Sequence, residues 1–163
     1  PNIDPRFMFV NTGFNFRPTE IQGAFGIHQI DKLEKLVKIR IKNADYWTKK
    51  LSGFSDFLIL PKKTKHRKSY LLYPITVKEN KFFSKEDLVE ELTRNGIDTR
   101  PLMTGNIIRQ PVSKYLRYKK NGKLINADYV QKNSFLIGNH HGISNKERKF
   151  IADIISNFIN KRI

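Results

Sequence analysis

The sequence predicts an α/β layer in which helices pack on a small sheet that is reached through one long helix. Three observations carry that prediction. A proline-free stretch from Glu20 to about Leu51 has apolar residues at helical spacing. Three β-rich runs, 70–77, 97–103 and 135–138, are separated by turn formers. A closing stretch repeats Phe150, Ile151, Ile154, Ile155, Phe158 and Ile159 at intervals of three and four. The resulting order is helix, strand, helix, strand, strand, helix.

Each element has a local cause. The apolar run 7–10 is too short for a helix and reads as a buried strand or packed lead-in. Thr19 and Gln22 are spaced as a capping box, so a helix starts at Glu20. Its first half, with Ile21, Ala24, Phe25, Gly26, Ile27 and Ile30, is apolar nearly all round, which predicts burial between other elements, and because the rest of the sequence offers only a small sheet, the expected cover is a second subunit or a missing N-terminal portion. From Leu33 the pattern narrows to a stripe through Val37, Ile41, Ala44, Trp47 and Leu51, so the helix is expected to emerge onto the surface. Gly53 follows as a left-handed stop. After a lysine-rich linker at 62–68 comes the strand 70–77, which Pro74 restricts to an edge or a bulge. Ser84 caps a helix over 85–95, with Glu86 and Asp87 in its first turn and Gly96 as its stop. Asp98, Arg100 and Thr104 punctuate the strand 97–103, and 135–138 is a third, short strand. Ser144 caps the last helix.

Composition narrows the function classes. With 163 residues, 39% hydrophobic and 28% charged, the chain has enough apolar material for one core and no disorder signature. The lack of cysteine excludes disulfides, cysteine-based metal sites and thiol nucleophiles. With no run of eighteen apolar residues and no secretory pattern at the N-terminus, the expectation is a cytoplasmic protein that does not enter the membrane. A net charge of +16 suggests nucleic acid. The lysines, however, are scattered among Ile and Asn rather than shaped into a groove, which argues against nucleic-acid binding as the main function.

Polar residues cluster in three places. Asn15 and Arg17 sit beside two aromatics at the start of the long helix, where free backbone donors and the macrodipole favour an anion such as phosphate. Arg100, Asn106, Arg109 and Gln110 fall on a loop after a strand, stiffened by Pro101 and Pro111; arginine suits a diphosphate and amides suit sugar hydroxyls. Asn139, His140 and His141 follow the short strand. Adjacent histidines on extended backbone point to opposite sides, so no metal site is expected there. His28, on the apolar half of the helix, is expected to be packed, and His66, among lysines, solvated.

The segment 13–36 resembles the Gly-Tyr-Asn-Tyr-Arg-x-Thr/Ser-Glu-Ile-Gln stretch of the DegT/DnrJ/EryC1/StrS family of pyridoxal-phosphate-dependent nucleotide-sugar aminotransferases. The matching positions are Gly13, Asn15, Arg17, Thr19, Glu20, Ile21, Gln22, Ala24, Gly26, Gln29 and Leu33. The run Thr99-Arg100-Pro101 through Gly105-Asn106 and Arg109-Gln110-Pro111, with Asn126-Ala127-Asp128 and 137–143, is similar to the lipopolysaccharide 3-dehydrase branch. The resemblance implies the small C-terminal domain of a fold-type I aminotransferase. On it, residues 1–19 are the end of the large domain and the cofactor-phosphate loop, 20–52 the connecting helix, and 53–163 the small domain. It further implies pyridoxal 5'-phosphate or pyridoxamine 5'-phosphate, a homodimer with a composite active site, and a nucleotide-linked 4-keto-6-deoxysugar substrate in lipopolysaccharide or O-antigen synthesis. Asn15 would contact the cofactor phosphate of the neighbouring subunit, with Arg17 assisting. Arg100, Asn106, Arg109, Gln110, Asn139 and one of His140 and His141 would face substrate.

Family members are more than twice as long, and their Schiff-base-position residue, lysine in aminotransferases and histidine in the dehydrases, lies upstream of this motif. The expectation is therefore a C-terminal portion with no catalytic residue of its own, inactive by itself. A non-catalytic dimerisation module or a basic nucleic-acid binder is the alternative.

Overall fold

The computed structural model of the chain describes Phe14 and residues 16–103 and 105–163. The expected lead-in at 7–10, Gly13, Asn15 and Thr104 lie outside the described residues. Contacts divide the chain into two units, Pro1–Glu34 and Lys35–Ile163.

In the first unit the capping box forms as its spacing requires. The Thr19 N–H donates to Gln22 Oε1 at 2.8 Å, and the Gln22 N–H donates to Thr19 Oγ1 at 3.4 Å. Helix α1, Glu20–Leu51, begins there and continues into the second unit. The burial expected along α1 is reversed. Ile21, Phe25, Ile27 and Ile30 are each about two-thirds exposed or more, and His28 is exposed as well. It is the second half that carries the buried residues, Asn43, Ala44, Trp47 and Leu51. An apolar surround on a helix predicts covering protein, and among the described residues nothing covers this one.

The second unit is an antiparallel sheet with helices α1, α2 and α4 contributing to one core. Its strands are β1 (Leu58–Ile59), β2 (Leu72–Val77), β3 (Thr99–Pro101) and β4 (Ser134–Gly138), in the order β1-β2-β4-β3. Register runs from Leu72 opposite Gly138 to Thr76 opposite Ser134. Alternation along β2 then buries Tyr73, Ile75 and Val77 on one face. These three join Phe135 and Ile137 of β4 in the core, with Trp47 and Leu51 of α1, Leu88 and Leu92 of α2 (Lys85–Arg94), and Ile155 and Ile159 of α4 (Asn145–Asn160). Pro74 fits because β1 is short: it pairs only at Val77 and Thr76, so Pro74 meets a ladder partner on the β4 side alone.

Both expected caps are present as full capping boxes, Ser84 with Asp87 and Ser144 with Glu147. Gly96, at φ +73°, ends the turn after α2. Two elements go beyond the sequence reading. Strand β1 was not expected, and helix α3, Ile125–Asn133, starts at Leu124 with no side-chain cap, so it gave no start signal. Strand β3 is three residues rather than the expected seven, because the chain turns sharply after Pro101.

Trp47, fully buried, lies against Tyr73 with ring centroids 5.3 Å apart and donates its indole N–H to the Arg148 carbonyl at 3.0 Å. Trp47→Ala is expected to lower the unfolding free energy by about 3–5 kcal/mol. Urea denaturation followed by circular dichroism checks this; a loss under about 1 kcal/mol would contradict the packing described.

Candidate functional site

The loop after β3 is built on α3. The Met103 N–H donates back to the Pro101 carbonyl at 2.7 Å, and the Gly105 N–H to the Leu102 carbonyl at 2.9 Å. Met103, 80% exposed, is held at φ +46°, a conformation that costs a non-glycine residue energy and recurs at ligand-contacting turns. Gly105, at φ +60°, lies so close to α3 that a Cβ would stand 2.6 Å from Gln131 Cγ. Only glycine satisfies both demands.

From there the chain is fastened residue by residue. The Asn106 N–H donates to Gln131 Oε1 at 2.8 Å, and its Nδ2 donates to Asp128 Oδ1 at 2.8 Å. Asn106 Oδ1 accepts from the Ile108 N–H at 3.4 Å and caps the 3-10 turn Ile107–Arg109. Arg109 grips the same carboxylate with two donors, Nε to Oδ1 at 3.0 Å and Nη2 to Oδ2 at 2.8 Å. The Arg109 guanidinium, then the Asn106 amide, hold the Asp128 carboxyl down at about 2.

Of the expected loop residues, Asn106 is buried and its carboxamide is committed within the chain. Arg109 is exposed with one edge engaged by Asp128. Arg100 is more open than Arg109, its side chain 70% exposed with only a 3.9 Å approach to Asp98. Gln110 is half-buried.

The 139–142 segment is anchored on α1 instead. Asn139, 1% exposed, donates from Nδ2 to the carbonyls of Arg40 and Tyr70 at 3.1 and 2.9 Å. Asn43 Nδ2 donates to the His140 carbonyl at 3.2 Å. The two histidines do not diverge as extended backbone would have them. The Gly142 N–H donates to His140 Nδ1 at 3.0 Å, which turns the chain and brings the rings to 3.9 Å between centroids. Neutral His140 therefore carries its proton on Nε2. Partial burial, then His140 and Arg40, push the His141 pKa down from its ordinary value, which favours the neutral imidazole. Among the described residues no group of three or more His, Asp or Glu could hold a metal ion. Arg17 is exposed near the N-terminus of α1.

The DegT/DnrJ/EryC1/StrS aminotransferase family model matches residues 3–156. The chain belongs to this family. A GDP-4-keto-6-deoxy-D-mannose 3-dehydratase of Escherichia coli O55:H7 is 36% identical over 141 residues, which are 85% of this chain and 35% of the relative. The lipopolysaccharide biosynthesis protein RfbH of Salmonella typhimurium is 31% identical over 95% of this chain and 36% of its own length. A crystal structure of a GDP-4-keto-6-deoxymannose-3-dehydratase with a trapped PLP-glutamate geminal diamine superposes with a TM-score of 0.82 at 32% identity, over 92% of this chain and 39% of that one. The family member described here thus spans a little over a third of the length of these relatives, and its small antiparallel sheet with flanking helices is part of a PLP aminotransferase fold.

Reading the residues alone missed Asp128 and Gln131, the two side chains that organise the loop. The Asn126-Ala127-Asp128 run was visible as a motif, but its purpose appears only with α3 in place.

Three outcomes follow from this geometry. Gly105→Ala meets both a strained φ and Gln131, so hydrogen exchange at Asn106 and Arg109 should accelerate at least tenfold; unchanged exchange would refute the close approach. Asp128→Asn removes the carboxylate that holds Arg109 and should loosen the same amides. Because the Asp128 pKa is lowered, its contribution is present above the ordinary value of about 3.9 and is lost as pH falls toward 2. An acid titration of those amides that released the loop near pH 5 would contradict the Arg109 clamp.

Proposed function

We propose that this chain is part of an enzyme dependent on pyridoxal or pyridoxamine phosphate that acts on a nucleotide-linked 4-keto-6-deoxysugar, removing its 3-hydroxyl, in lipopolysaccharide sugar synthesis in the cytoplasm. One observation carries the reading. The relatives at 30–36% identity include three named 3-dehydratases, whereas the named transaminases stand at 28% and 26%. Aminotransfer to the same class of ketone is the second reading.

The described residues fit the anionic end of the cofactor. At the start of α1 the Thr19 and Gln22 amides are occupied by the capping box, which leaves the Glu20 and Ile21 N–H groups without intrahelical partners, beside the exposed Arg17. Asn15 and Arg17 would hold the phosphate of the partner subunit's cofactor. When bound, the cofactor supplies an amino group and an electron sink. The exposed apolar residues Phe25, Ile27 and Ile30, spread around the helix, fit a place inside a homodimer.

On the substrate side, Arg100 and the open edge of Arg109 would meet the diphosphate, and Gln110 the sugar. Asn106 and Asn139 act by position: one fixes the loop on α3, the other fixes the 139–142 segment on α1. Neutral His141, beside His140, would present a proton acceptor to the sugar.

Incubating the complete protein with pyridoxamine 5'-phosphate and GDP-4-keto-6-deoxymannose tests the reaction. NMR of the product should show a 3-deoxy sugar; a 4-amino sugar would overturn the dehydrase reading. Arg100→Ala should raise KM for the sugar nucleotide about tenfold, and an unchanged KM would remove Arg100 from the diphosphate.

A further inference from the structure

A cleft that takes no part in the candidate site lies between the last turns of α1 and residues 61–70. We propose that it binds a small phosphorylated ligand carrying a flat ring, of the nucleoside diphosphate class. It encloses about 570 Å³, within the range of about 300–1,000 Å³ of small-molecule sites. Ile41, Ala44, Pro61 and Tyr70 supply apolar wall, and the Tyr70 ring suits stacking against a base. Lys49, Lys62, Lys63, Arg67 and Lys68 line the same space together with His66, while Asp45 is the one carboxylate among the lining residues.

This imbalance is local as well as compositional. Residues 62–68 hold five Lys or Arg and no acid. Thr64 Oγ1 donates to the His66 carbonyl at 3.1 Å, which folds the segment on itself. A concave wall lined by one sign of charge focuses its field and raises the local concentration of an anion.

The second cavity, at 77–87 and 132–133, makes the contrast. There Lys132 faces Glu79 at 3.0 Å and Lys85 faces Glu86 at 3.0 Å, and with Asp87 three carboxylates share the cavity with its four lysines, Lys78, Lys81, Lys85 and Lys132. In the 61–70 cleft Asp45 is the one carboxylate set against Lys49, Lys62, Lys63 and Lys68. Phosphate groups would neutralise these lysines, and the apolar wall asks for more than phosphate alone.

The proposal does not depend on the sugar reaction. Isothermal titration of the complete protein with GDP, pyrophosphate and guanosine, at moderate salt, tests it. The exposed triple variant K62E/K63E/K68E should weaken one GDP-binding event at least tenfold. Ser52→Trp, which fills the cleft from the end of α1, should do the same, with circular dichroism unchanged in both. Pyrophosphate should bind this site at least tenfold more weakly than GDP, and guanosine alone more weakly still. Arg100→Ala should leave this event intact. The proposal is overturned if GDP binding is indifferent to both cleft variants, if Arg100→Ala abolishes every GDP-binding event, or if pyrophosphate matches GDP. A DNA duplex that displaces GDP and binds more tightly would likewise overturn it in favour of a nucleic-acid surface.

Discussion

The second unit, Lys35–Ile163, depends on a buried polar clamp that fixes the second half of α1 against α4 and the end of β4. Asn43, fully buried, donates to the His140 carbonyl and accepts from Arg148 Nη1 at 3.1 Å. Trp47, one turn on, donates to the Arg148 carbonyl. Arg148 is 8% exposed, and among the described residues no carboxylate pairs with it; Asn43, Asn145 and the Tyr46 ring at 4.6 Å surround its guanidinium. A cation desolvated in this way is costly unless each contact is kept, so the network admits little slippage. Apolar packing alone would let α1 rotate or slide on the sheet. The hydrogen bonds give it one register.

That register sets the candidate site. Asn139 reads the Arg40 carbonyl of α1 and the Tyr70 carbonyl ahead of β2 together, which fixes where the strand ends and the histidine pair begins. The same α1 turns form one wall of the cationic cleft, with Tyr70 opposite. On the far edge of the sheet the loop after β3 is fixed independently by Asp128 and Gln131 of α3. Two rigid supports therefore hold the polar segments, and the exposed groups they leave, Arg100, one edge of Arg109 and the His140 imidazole, are suited to an anionic, hydroxyl-rich ligand.

Local chemistry made much of this legible. The capping boxes at Thr19, Ser84 and Ser144 and the stop at Gly96 follow from side chains within four residues of one another, and they form as spaced. What depended on distant partners did not show. Helix α3 has no capping side chain, and its value lies in Asp128 reaching residues about twenty positions back. Asn106 and Asn139 read as ligand-facing amides because a sequence does not reveal that backbone carbonyls and a carboxylate wait for them inside. The histidines converge because the Gly142 N–H bends the chain onto His140 Nδ1, a turn that alternation cannot foresee. Along α1 the apolar pattern described a surface needing cover, and among the described residues that surface is open.

We propose that Asn15 completes a cofactor pocket belonging largely to a neighbouring subunit. A crystal structure of the complete protein with pyridoxamine 5'-phosphate tests it most directly. The account predicts the Asn15 carboxamide at about 3 Å from a phosphate oxygen held by the other subunit. Asn15 facing solvent, or the phosphate bound wholly within one subunit, would contradict it.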